Sequence, residues 1–136
     1  MFKNLRIYYL LIFIYINSSI YAQFSSEEER MNHANDLFEN KNFIEAEPHM
    51  LHFLSTKSNS EFNFKYGVCA LFKYADKSKS ISYLERSVRD SKVDPRAHFY
   101  LGKAKHLNYL FAQALTSYNK FKSLVSEKEA NLLEVD

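Results

Sequence analysis

The chain has 136 residues, 18 Lys and Arg against 16 Asp and Glu, one Cys, and only two Gly and two Pro. That length points to one domain. The lone Cys69 excludes an internal disulfide, the scarcity of Gly and Pro leaves little punctuation for a strand-and-turn fold, and the near balance of charge argues against nucleic acid or anionic lipid as a partner.

At the N-terminus, MFKNLRIYYLLIFIYINSSIYAQ places Lys3 and Arg6 before an apolar run from Ile7 to Ile16, followed by Asn17-Ser18-Ser19 and Ile20-Tyr21-Ala22. This is the order of a secretory signal peptide, residues 1–22, cleaved after Ala22. The apolar run is about ten residues, against the roughly 20 needed to span a bilayer as a helix. No stable membrane span is therefore expected after cleavage, and with no Cys near the cut a lipid-anchored N-terminus is not expected. Removing Lys3 and Arg6 leaves residues 23–136 with 16 basic and 16 acidic side chains.

Beyond the leader, apolar residues recur at three and four rather than two. Ala34, Leu37 and Phe38 share a face, as do Phe43, Ala46, Met50, Phe53 and Leu54, and Ile81, Leu84 and Val88. This spacing predicts six helices over about 25–40, 43–56, 61–74, 78–90, 95–108 and 111–125. Ser25-Ser26 before three glutamates, and Asp94 before Pro95, are helix starts. Pro48, about one turn inside the second helix, is expected to cost a hydrogen bond and bend it. Ser126 to Leu133 begins a further polar helix of the kind that caps a repeat array.

Laid against itself, the chain repeats. Phe43, Lys77 and Phe111 are 34 apart, as are Ala46, Ser80 and Ala114; Met50, Leu84 and Tyr118; and Phe53, Ser87 and Phe121. The first helices keep this period less strictly, with Ala34 to Gly67 at 33 and Gly67 to Gly102 at 35, which one extra residue in the Tyr74-Ala75-Asp76-Lys77 turn explains. Three units follow, at about 27–60, 61–94 and 95–128. Within each, small residues are expected where paired helices touch: Ala34 with Ala46, Gly67 with Ser80, and Gly102 with Ala114. Glycine inside a helix costs about 1 kcal/mol relative to alanine, so its use twice at equivalent places indicates a packing requirement.

The stretch YLGKAKHLNYLFAQALTSYNKF resembles a tetratricopeptide unit at Leu101, Gly102, Ala114, Tyr118 and Phe121, and a 34-residue period is that family's. The resemblance covers about residues 28–125 and departs at Arg30, His98 and Lys105, where larger apolar or aromatic residues are usual. It implies an all-α, tetratricopeptide-repeat helical solenoid of about three antiparallel helix pairs. NFKYGVCALFKYADKSKSISYLERSV and FYLGKAKHLNYLFAQALTSYNKFKSLVSEKE are also similar to the N-terminal repeats of Bacteroidota envelope proteins of the OmpA family. Those chains continue into a β-propeller-like segment and a peptidoglycan-binding domain, and some serve gliding or type IX secretion. This likeness implies an exported scaffold in the periplasm or at the outer membrane, or the N-terminal structural module of a longer anchored protein.

The chemistry-bearing residues give no enzyme signature. His49 and His52 with Glu45 are a loose match to a zinc site beside Pro48 and read as a polar helix face. Cys69 lies mid-helix among apolar neighbours, without an activating base. No glycine-rich phosphate loop or nucleophile elbow occurs. Neither cofactor nor metal is expected, and about ten of the 12 Phe and 10 Tyr, among them Phe43, Phe53, Tyr83, Phe111, Tyr118 and Phe121, are assigned to the core.

The repeat register instead turns one row of side chains toward a concave face: Met31, Asn35 and Phe38; Phe64, Val68 and Leu71; and Phe99, Lys103 and His106. Stacked repeats hold extended or helical segments on such a face. Asn35 and Lys103 match two positions of the family's carboxylate-clamping groove. Met31, Val68 and Phe99 stand where polar groups would be needed, so a more apolar segment of another cell-envelope protein is the expected partner.

Overall fold

The three-and-four spacing produces helices wherever it occurs. The computed structural model describes residues 26–134, and among them are seven α-helices and no strand: α1 (Glu27–Glu39), α2 (Phe43–Thr56), α3 (Ser60–Lys73), α4 (Ser78–Ser87), α5 (Arg96–Leu107), α6 (Phe111–Leu124) and α7 (Glu127–Glu134). The expected leader, residues 1–22, lies outside the described residues. Two units divide the chain, Met1–His33 and Ala34–Asp136. In the described part of the first, Ser26 Oγ accepts the Glu29 N–H at 3.1 Å, and Glu27, Glu28 and Glu29 occupy the positive first turn of α1.

In the second unit, helices adjacent in sequence pack together from α2 to α7, and α3 also touches α5. Local signals set the boundaries. Asn59 Oδ1 accepts the Phe62 N–H at 2.9 Å to start α3, and Asp94 Oδ1 accepts the Arg96 N–H at 2.8 Å to start α5. Ser126 and Glu129 form a reciprocal capping box at α7: Ser126 N–H and Oγ donate to the Glu129 carboxylate, and Glu129 N–H donates back to Ser126 Oγ. Helix α4 ends three residues earlier than expected, because Arg89 and Asp90 N–H turn back to the carbonyls of Arg86 and Ser87. Pro48 stands on the exposed side of α2, which continues through Thr56.

The turns obey the repeat. The α1–α2 and α5–α6 joints are three residues long and the α3–α4 joint is four. Asn42 N–H donates to the Leu37 carbonyl, and Leu110 N–H to the Lys105 carbonyl. Between these bonds Lys41 and Tyr109, 68 residues apart, both take a left-handed backbone with φ 61°. This is the helix-ending motif that glycine usually completes.

Helix pairing rests on the two glycines. A Cβ on Gly67 would lie 2.8 Å from Leu84 Cγ, and one on Gly102 would lie 2.6 Å from two ring carbons of Tyr118. Leu84 and Tyr118 are repeat counterparts. The sequence paired these glycines with Ser80 and Ala114, but the side chain reaching each glycine comes from one turn further along the second helix. Ser80 and Ala114 are themselves buried, as are Ala34 and Ala46.

Aromatic rings fill the space within and between pairs. Phe38 meets Phe43 and Phe64 edge-on at 5.4 and 5.6 Å, Phe72 stacks on Phe43 at 4.6 Å, and Phe99 lies 5.5 Å from Phe121. Phe111 departs from its expected core position and is 58% exposed.

Gly102→Ala should destabilise the chain by about 1–3 kcal/mol through overpacking, outweighing the roughly 1 kcal/mol gain in helix propensity. Adding Tyr118→Leu should recover part of that loss. Thermal melts of the three proteins check this, and a single variant at least as stable as the parent would remove the close contact from the account.

Candidate binding surface

The row expected to line a concave groove divides into two kinds of surface. Phe38, Phe64, Val68, Leu71 and Phe99 are all buried in the folded chain. Asn35 and Lys103 are half-buried and His106 is exposed; Met31, in the first unit, is half-buried. The apolar groove expected over the first and second repeats is therefore not an open surface.

Long cationic side chains lie over two of its rings. Arg96 lies over the rings of Phe38 and Phe64, 6.0 and 5.9 Å from their centroids, and pairs with both Glu39 carboxylate oxygens at 3.0 and 3.1 Å and with Asp94 at 2.7 and 2.9 Å. Those hydrogen bonds to Asp94 and Glu39 hold the guanidinium pKa above its ordinary value, more than offsetting burial. Lys65 also lies over Phe38, at 6.0 Å, and donates to Asn35 at 2.8 Å and Glu61 at 2.6 Å. Apolar stems and flat aromatic faces suit such coverage, because each cation keeps its polar partners while its stem excludes water from the ring. The adjoining cleft, about 760 Å3, is lined by acids and bases of both signs, including Glu39, Glu61, Lys65, Asp90, Asp94 and Arg96.

A second polar cluster serves the core. Glu47 is 3% exposed and accepts from Lys73 Nζ and, at 2.7 Å, from Tyr74 Oη. These bonds hold the Lys73 ammonium and Tyr74 hydroxyl above their ordinary ranges. Burial, and then the nearby Glu47 charge, push the Cys69 thiol up to about 12. A thiol so disposed has little thiolate at neutral pH and is no nucleophile. Among the described residues, no group of three or more His, Cys, Asp or Glu side chains could hold a metal ion, and no helix is long and apolar enough to cross a membrane.

Among the described residues, an open apolar surface lies on the third hairpin. Phe99, Lys103 and His106 of α5 line a cleft of about 440 Å3 with Leu107, the α6 residues Leu115, Tyr118 and Asn119, and Leu133 of α7. Among the described residues no carboxylate lines it. Lys103 Nζ lies 5.3 Å from the centroid of Phe72, and a smaller cleft of about 290 Å3 shares Phe99, Lys103 and Leu133 and reaches Phe43, Phe72 and Tyr100. Exposed Leu107, Tyr109, Leu110 and Phe111 continue the surface around the α5–α6 turn, where His106 and Tyr109 each meet the Phe111 ring edge-on. Of the sequence-derived row, this arrangement brings together Phe99, Lys103 and His106 and adds the turn residues. The signal in the sequence for the latter was the largely apolar stretch from Leu107 to Leu115, which runs through the joint between the two helices.

Compared with protein-family models, curated proteins and solved structures, the chain has no match.

At His98 of α5, burial and then the Lys120 charge lower the pKa. Folding thus disfavours the imidazolium. The penalty is absent above the unfolded value of about 6.5 and grows as pH falls below it. His98→Gln should flatten the fall in melting temperature between about pH 7 and pH 5.5, a window above the carboxylate titrations. Melts of both proteins across that range check this; parallel curves would assign the acid sensitivity elsewhere.

Proposed function

We propose that the chain is an exported, non-catalytic protein–protein interaction scaffold, built as a tetratricopeptide-type solenoid, that holds a segment of another cell-envelope protein. Three features support the solenoid: the 34-residue period, the repeated glycine contacts of Leu84 and Tyr118, and the identical turns at Lys41 and Tyr109. Export follows from the order of charged, apolar and small residues in 1–22. The likeness to OmpA-family repeats is in keeping with a site in the periplasm or against the outer membrane.

The observation that carries the binding reading is the cleft of the third hairpin. Phe99, Lys103 and His106, which the repeat register assigns to one face, line it together with exposed Leu107 and Leu115. The mechanism is shape and apolar burial, with Lys103 and His106 orienting polar groups at the rim. Covering two large apolar side chains is worth about 3–6 kcal/mol before ordering costs. The ion-paired surface over Phe38 and Phe64 offers a partner far less, because docking there would first have to displace Arg96 from two carboxylates.

The full chain, used as bait in an extract of the native envelope, should retain a defined envelope protein. A Lys103→Glu, Leu115→Glu double variant of matched helicity and melting temperature should retain at least tenfold less. Equal retention by both proteins, or retention by neither, would sink the binding assignment.

A further inference from the structure

Long cations drawn against the core of the second unit have polar partners. Arg96 pairs with Glu39 and Asp94, Lys65 with Glu61, and Lys105 with Glu85 at 3.1 Å. Lys77 donates to the carbonyls of Leu71 and Tyr74 at 2.8 and 2.7 Å. Lys103 departs from this rule. It is half-buried, and its ammonium lies 5.3 Å from the centroid of Phe72. Among the described residues no carboxylate pairs with it, and none lines either of the two clefts it borders. A charge drawn partly out of water needs a compensating partner, and a ring face supplies only part of that compensation.

The surroundings of Lys103 say what kind of partner fits. Phe99 and Phe121, 8% and 2% exposed, form the floor of the larger cleft, and half-buried Tyr118 and Leu133 stand beside them. The clefts of about 440 and 290 Å3 share Phe99, Lys103 and Leu133, so apolar surface passes on both sides of the ammonium. His106, one turn after Lys103 on α5, adds a polar group at the rim. An apolar concavity of this size with a few converging polar groups is the form of a small-molecule site. Its chemistry selects an aliphatic chain ending in an anion. An uncharged chain would leave Lys103 uncompensated, and a cationic one would be repelled by it. The balanced charge of the chain argues against charged polymers and surfaces, but does not bear on one carboxylate meeting one ammonium.

We infer that the floor of the third-hairpin cleft binds a monomeric long-chain aliphatic carboxylate, its head paired with Lys103 and its chain laid over Phe99, Phe121 and Leu133. This goes beyond the scaffold reading and does not depend on it, because Leu107 and Leu115, 50% and 60% exposed, stay at the rim for a partner segment.

Calorimetric titration of the full chain with decanoate, decanol, decyltrimethylammonium and hexanoate, all kept below micelle-forming concentrations, tests this. Decanoate should bind one per chain and at least tenfold more tightly than decanol or decyltrimethylammonium. It should also bind at least tenfold more tightly than hexanoate, since each buried methylene tightens binding roughly fourfold. Lys103→Gln should erase the preference for decanoate over decanol, and Leu133→Glu should weaken decanoate at least tenfold. Lys79→Gln, an exposed lysine on α4 outside both clefts, should change nothing. All three variants are matched to the parent in helicity and melting. Equal binding of decanol and decanoate, an equal loss in Lys79→Gln, or undiminished binding to Lys103→Gln would each overturn the pairing and with it the inference. Absence of decanoate binding to the parent chain would do the same. None of these outcomes alters the envelope capture, on which the scaffold reading stands or falls separately.

Discussion

Leu84 and Tyr118 lie against the backbone of the opposite helix, in space that a Cβ on Gly67 or Gly102 would occupy, and the close approach of α3 to α4 and of α5 to α6 follows from that contact. The pairing puts the remaining faces of α3 and α5 against their neighbours, where Phe64, Val68, Leu71 and Phe99 become core. Those rings are therefore not part of the open surface. A chain with no disulfide thus holds its register through a glycine and a bulky side chain repeated one unit apart.

Long cations then decide which aromatic rings are available. Arg96 links Asp94 to Glu39, 57 residues away, while lying over Phe38 and Phe64. A bidentate guanidinium–carboxylate pair of this geometry is stronger and more directional than a single exposed ion pair. Lys65 does similar work from α3. Lys103 reaches Phe72, but among the described residues no carboxylate lines its cleft, and the third hairpin keeps an open apolar surface. The difference between the two ends of the second unit is thus one of side-chain roofing as much as of backbone position.

Most of the helix order was legible from residue spacing, because a 34-residue period and a three-and-four apolar pattern act along the chain and need no long-range information. The extra residue at Tyr74 to Lys77, inferred from the offset of Gly67, is present as a longer α3–α4 turn. What sequence could not supply was the direction and reach of individual side chains. Ser80 and Ala114 were paired with the glycines by size, whereas helical side chains lean toward the N-terminus, so Leu84 and Tyr118 reach them. Phe38 and Phe64 were placed on the inner face without the Arg96 and Lys65 that cover them. Phe111 was assigned to the core by analogy with Phe43, although the Phe72 and Tyr100 that bury Phe43 belong to later helices.

The central claim is that recognition occurs at the apolar edge of the third hairpin and not along the covered rings of the first two repeats. Carbene footprinting of the chain, purified and in place in its native envelope, addresses this directly. Residues 107–115 should be strongly labelled in the purified chain and at least severalfold less in the envelope, with Phe38 and Phe64 weakly labelled in both. Equal labelling of 107–115 in the two settings, or protection confined to the surface around Arg96, would contradict the account.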